Sequence, residues 1–146
     1  MKFQYNDGGR KAAGFKNLRS GDCVARAVAI ASGRPYEEVY KVLADGNLKQ
    51  RKTCRSKKTN HTADEGIYTN RKWFKDYMRS IGFEWVSTMG IGTGCKVHLK
   101  EDELPKGNII CRVTRHFVAV IDGVIHDTYD PSRDETRCVY GYWIKQ

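Results

Sequence analysis

His116-Phe117-Val118-Ala119-Val120-Ile121-Asp122-Gly123-Val124-Ile125-His126-Asp127-Thr128 is the stretch that decides how this 146-residue chain folds. Two apolar runs flank an Asp-Gly pair, and such a pair adopts the positive φ angles of a two-residue hairpin turn whose twist suits the flanking strands. The runs therefore read as two antiparallel strands, with cross-strand partners placed symmetrically about Asp122-Gly123. His116 then faces Tyr129, and Val118 faces Asp127. Alternation puts His116, Val118 and Val120 on one face with Tyr129, Asp127 and Ile125. Asp127 is diagonal to His116 there, a separation that a carboxylate and an imidazole can close. Asp130 pairs instead with Arg115 on the other face, so Asp127 ranks ahead of Asp130 as the partner of His116.

Upstream, Ile109-Ile110-Cys111-Arg112-Val113 reads as another strand, entered from a turn at Leu104-Pro105-Lys106-Gly107-Asn108. Helical spacing precedes it. In Gly21-Asp22-Cys23-Val24-Ala25-Arg26-Ala27-Val28-Ala29-Ile30-Ala31-Ser32-Gly33, the residues Val24, Ala27, Val28 and Ala31 share a face. Asp22 or Ser20 suits the N-cap and Gly33 the stop, which predicts a helix over 22–32. Its alanines let neighbouring backbone approach closely, as a helix buried in mid-domain requires. A second helix opens at Pro35, carries Tyr36, Val39, Tyr40, Val42 and Leu43, and ends near Gly46. A third starts near Thr69 or Asn70 and runs through Trp73, Phe74, Tyr77 and Met78 to Gly82. Helices followed by strands predict an α+β fold, one domain over 1–146, with the first helix packed on an antiparallel sheet. A chain of this length buries roughly 68–70 % of its unfolded surface in one core.

Composition narrows the class. With 40 % hydrophobic and 11 % aromatic residues the chain is an ordinary globular one, not a disordered one. No run approaches the ~18 apolar residues of a membrane helix, and Met1 to Arg10 contains no apolar signal region, so the expectation is a cytoplasmic protein with no membrane partner. The five cysteines, at 23, 54, 95, 111 and 138, form no CxxC pair. Their spacing suggests neither a disulfide framework nor a zinc finger, and reduced thiols are expected. Cys95 with His98, or Cys54 with His61, makes no four-ligand set, so no metal is predicted. Gly90-Ile91-Gly92-Thr93-Gly94 lacks the GxGxxG spacing, and Cys95-Lys96-Val97-His98-Leu99 after it alternates like a strand. No cofactor is expected.

The chemistry centres on Cys23. A thiol in the first turn of a helix meets unpaired backbone N–H groups and the positive end of the macrodipole, both of which favour thiolate. An imidazole on a strand and a carboxylate beside it complete the set for nucleophilic attack with general acid and base support. In this order, Cys23, His116 and Asp127 resemble the papain-like cysteine peptidases in their compact bacterial and phage forms. The similarity is closest to the bacteriocin-processing peptidases of ABC exporters. Asp22-Cys23 resembles their Asp-Cys helix start, and His116-Phe117-Val118-Ala119-Val120 with Asp130-Pro131 resembles their His-Phe-Val-Val and Asp-Pro elements. The resemblance covers about residues 17 to 131.

The resemblance implies a papain-like fold, a peptide or protein substrate, and hydrolysis of a peptide or isopeptide bond, with deamidation and acyl transfer as variants on the same residues. It also implies an oxyanion donor six positions before the nucleophile, where the family has Gln and this chain has Asn17. The family's Asp-Pro motif maps onto Asp130, whereas the hairpin favours Asp127.

A second class of function attaches to charge. The chain carries 26 basic against 17 acidic side chains, a net +9. Lys49, Arg51, Lys52, Arg55, Lys57 and Lys58 cluster in an expected loop over about 48–62, with Tyr68, Trp73 and Phe74 beyond it. Basic clusters near stacking aromatics suit nucleic acid. Trp73 and Phe74, however, follow helical core spacing, and a charge run is more often a solvated loop.

Overall fold

The structure, a computed structural model, describes residues 1–15, 22–50, 67–90 and 92–146. It is α+β. Among the described residues three α-helices, α1 (Cys23–Ser32), α2 (Tyr36–Lys49) and α3 (Lys72–Ser80), accompany six strands: β1 (Lys2–Tyr5), β2 (Phe83–Ser87), β3 (Asn108–Val113), β4 (His116–Ile121), β5 (Val124–Asp127) and β6 (Gly141–Lys145). One sheet holds all six strands, in the order β1-β5-β4-β3-β6-β2.

The deciding hairpin forms in the expected register. Ile121 pairs with Val124, Val120 with Ile125 and Ala119 with His126. Asp122 at φ 48° and Gly123 at φ 82° close it with the two positive angles of a type I′ turn. The sheet departs from the antiparallel expectation in one place, because β1 runs parallel to β5. Parallel neighbours need a long crossover, and here most of the chain serves as one. All four β1 residues are exposed, so no apolar alternation marked that strand.

α1 ends at Gly33, whose φ of 74° and N–H bond to the Ala29 carbonyl close the last turn. Val24, Ala27, Val28 and Ala31 of α1 are buried against Ile110, Phe117, Ala119 and Trp143 of the sheet, with Val39 and Leu43 of α2 and Phe74 and Met78 of α3 completing this core. The small α1 side chains let the helix settle low on the strands. On the opposite face Ile109, Cys111, Val118, Val120 and Ile125 form a second core with Leu99, Leu104 and Val139. Leu99 and Leu104 flank a single 3-10 turn, Glu101–Glu103, on that face.

Two further expectations are corrected. α2 does not stop at Gly46 but continues to Lys49. A Cβ at Gly46 would lie 2.4 Å from the Trp73 ring, so the glycine is there for contact with α3 and not as a terminator. Lys49 is accordingly helical and pairs with Asp45 at 3.1 Å, while Arg51, Lys52, Arg55, Lys57 and Lys58 lie outside the described residues. The cysteines are not all reduced, since Cys95 and Cys138 form a disulfide with Cα atoms 5.9 Å apart. They lie 43 positions apart, and what joins them is a pair of extended segments held by Val139 N–H to Val97 O and Leu99 N–H to Arg137 O, each 2.8 Å. Spacing along the chain carries no trace of that contact. Among the described residues, no helix is long and apolar enough to cross a membrane.

Candidate active site

Cys23 is the first residue of α1 and half-buried, with its sulfur bordering a cleft. Asp22 occupies the N-cap position, yet it makes no side-chain cap bond. Its fully buried carboxylate turns away from the helix and accepts from Arg10 Nη1 at 3.1 Å and the Tyr36 hydroxyl at 2.8 Å. Arg26 Nη1, one helical turn on, donates to the same carboxylate. The expected capping role is thus replaced by an internal ionic one, because a buried carboxylate holding two guanidiniums is better satisfied than one holding a single N–H.

His116 opens β4 and is 8 % exposed. Its Nε2 meets Asp127 Oδ2 at 2.6 Å, and Cys23 hydrogen-bonds the same ring. With Nε2 engaged by the carboxylate, Nδ1 is the nitrogen left for sulfur. The Tyr129 ring lies 5.2 Å from the imidazole, centroid to centroid, and packs against it. Asp127, at the end of β5, also accepts from the Thr128 N–H at 2.7 Å and from Arg26 Nη2 at 3.4 Å. Asp130 is placed elsewhere: it is exposed, and its Oδ1 accepts the Ser132 N–H at 2.9 Å. The structure therefore brings Cys23, His116 and Asp127 together and leaves Asp130 in the next turn. Asn17 lies outside the described residues.

The electrostatics follow from these contacts. Burial works to raise the Cys23 thiol, but the hydrogen bond and charge of His116, the Phe117 N–H and the Arg26 charge outweigh it and hold the thiol below its ordinary range. Burial works to lower His116, and its bonds to Asp127 and Cys23 outweigh that and push it up to about 9. Both directions favour thiolate on Cys23 and imidazolium on His116. The cleft beside them has a volume of ≈ 390 Å³ and is bounded by Ile67, Thr69, Arg112 and Arg115 as well as by Cys23 and His116.

Arg26 is the residue that the spacing argument passed over. It is 4 % exposed, bridges Asp22 to Asp127, and so ties the helix start to the strand that orients His116. One signal was present in the sequence: an arginine four positions after an aspartate, inside an otherwise apolar helix. Cys95 is in the disulfide with its sulfur 3.7 Å from His98 Nε2, His98 Nδ1 lies 3.3 Å from Glu103, and Cys54 and His61 lie outside the described residues. In the glycine segment the Gly90 N–H donates to Thr93 Oγ1 at 2.9 Å.

No protein-family model, curated protein or solved structure matches this chain. The functional reading therefore rests on the geometry.

Proposed function

We propose that this protein is a papain-like cysteine peptidase or a related thiol amide hydrolase, with Cys23 as nucleophile, His116 as general acid and base, and Asp127 orienting the imidazole. The observation that carries the reading is one buried imidazole bonded on one side to a carboxylate and on the other to a cysteine at a helix start. A structural histidine needs one partner for each nitrogen, but a core does not need one of them to be a thiol with a lowered pKa that borders a cleft.

The chemistry is acyl transfer. Cys23 Sγ attacks the carbonyl carbon of an amide, and the electron pair of the C=O bond moves to oxygen. The N–H groups of the first α1 turn, which Asp22 leaves without a side-chain cap, stand where that oxyanion forms, and Asn17 is the proposed side-chain donor. Collapse breaks the C–N bond as His116 gives its proton to the leaving amine. Water then attacks the thioester while His116 takes a proton from it, the C–S bond breaks, and the thiolate and imidazolium pair is restored. Loss of ammonia from a side-chain amide, or an amine in place of water, gives deamidation or acyl transfer by the same steps.

The test is intact mass after incubation with a peptide aldehyde or vinyl sulfone. One equivalent of adduct is expected on the wild type and none on Cys23→Ala. An unmodified wild type, or an adduct that survives in Cys23→Ala, overturns the reading.

A further inference from the structure

Among the described residues, lysine and arginine outnumber carboxylates in the depressions around the Cys23 and His116 pair. Three depressions run into one another across the site. The central one, with Cys23, shares Arg112 and Phe117 with a smaller hollow that also holds Lys75, and shares Arg115 and His116 with a larger one of ≈ 550 Å³ holding Asp130, Arg133 and Arg137. Among its described lining residues are five Lys and Arg side chains. Asp130 is the one carboxylate among its described lining residues, and its Oδ1 is taken by the Ser132 N–H.

The cations are free for a ligand to different degrees. Arg112 donates to the Asn70 amide oxygen at 3.2 Å, and Arg137 to the carbonyls of Thr114 and Pro131. None of these acceptors is charged. Arg115 and Arg133 are exposed and form no ion pair among the described residues. Both also sit at positive φ, 56° and 52°, where glycine or asparagine is the easier residue.

Building on the proposed thiol hydrolase reading, we propose that the groove selects acidic polypeptide: Arg115 and Arg133, with Arg112, Lys75 and Arg137 around them, bind substrate carboxylates and lay an extended acidic segment across Cys23. Guanidiniums suit carboxylates because the planar fork donates two parallel N–H groups. A groove walled by one sign of charge also concentrates the opposite sign, an effect that salt screens. Peptide is favoured over nucleic acid because, on the proposed reading, the cations flank a nucleophile that attacks carbonyl carbon.

The experiment protects Cys23 from iodoacetamide, a neutral reagent, with a decapeptide alternating Glu and Gly or with its Gln and Gly counterpart. Alkylation of Cys23 is followed by peptide mass. At low ionic strength the Glu peptide is expected to slow alkylation at least about fivefold more than the Gln peptide, and 0.5 M salt is expected to remove most of the difference, roughly as screening requires. The pair Arg115→Asn with Arg133→Asn, chosen because asparagine tolerates the left-handed conformation, is expected to erase it too.

Equal protection by the two peptides overturns the acidic selectivity while leaving the thiolate reading intact. Stronger protection by a single-stranded oligonucleotide than by the Glu peptide overturns it in favour of nucleic acid. Alkylation of Cys23 without any peptide at the rate of glutathione at pH 6 fails the thiolate reading, and the proposal falls with it.

Discussion

Cys23 and Cys111 are the two free thiols among the described residues, and they respond to the protein interior in opposite ways. Cys111 sits in mid β3, fully buried among Ile109, Val113 and Val118, and burial alone pushes its thiol far up. Cys23 feels the same push at the start of α1, yet its thiol is lowered because His116, the Phe117 N–H and Arg26 stand around it. Enclosure silences a thiol only where no charge is enclosed with it. A low local dielectric penalises an unpaired anion and strengthens a paired one, so the same burial goes with a raised thiol in one place and a lowered one in the other.

The largest way to break this contrast is to exchange the two sites' fates. Cys111→Ala is expected to keep the covalent adduct, and Cys23→Ala to lose it entirely; intact mass reads both, and an adduct that depended on Cys111 would undo the comparison. Next in size is the removal of the imidazole. His116→Gln leaves Cys23 with the Phe117 N–H and Arg26 but without its largest support, so on the proposed reading amide hydrolysis is expected to fall by about 10²–10⁴. Iodoacetamide labelling at pH 6 is expected to slow as the thiolate fraction drops. A rate that did not change would mean that His116 is not what ionises Cys23.

Arg26→Met sharpens the comparison through stability. It leaves Asp22 and Asp127 buried with one fewer cation, and breaking such a pair costs about 3–5 kcal/mol, readable as a lower urea midpoint at unchanged slope. Arg10→Met is expected to cost less, since the Arg10 side chain is 25 % exposed and its charge is partly screened. Labelling of Cys23 should also slow in Arg26→Met, because one of the charges lowering its thiol is gone.

The smallest effect is a titration. The raised value of His116, about 9, lies above its unfolded value of 6.5, so its contribution to stability is complete below pH 6.5 and is lost as pH rises through about 9. Asp127→Asn removes a bond that raises it. The stability advantage of wild type over this variant is therefore expected to narrow between those two values, and the His116 ring signals in NMR to titrate lower in the variant. An unshifted midpoint would detach Asp127 from the imidazole.

Much of the site was legible from local rules. The hairpin register, and with it the choice of Asp127 over Asp130, came from one turn dipeptide and period-two alternation. The Cys23 helix was legible from its alanine and valine spacing and Gly33. β1, β2 and β6 were not. β1 is exposed throughout, β2 buries only Phe83 of its five residues, and β6 has Gly141 where Trp85 packs, so none shows a pattern strong enough to stand out. The stop assigned to Gly46 failed because a glycine can serve an approaching ring as well as a helix end, and only Trp73 distinguishes the two.

By itself the sequence determined a helix that begins at a cysteine, a hairpin that sets a histidine beside an aspartate, and an excess of positive charge. These depend on neighbours within a few positions, where turn chemistry and periodicity act. Tertiary structure alone decided that Cys23 meets His116, that Arg26 reaches Asp127 across 101 positions, that β1 lies parallel to β5, and that Cys95 finds Cys138. Contacts of that span are selected by how two cores close on the faces of one sheet, and no short-range propensity encodes which distant segment arrives.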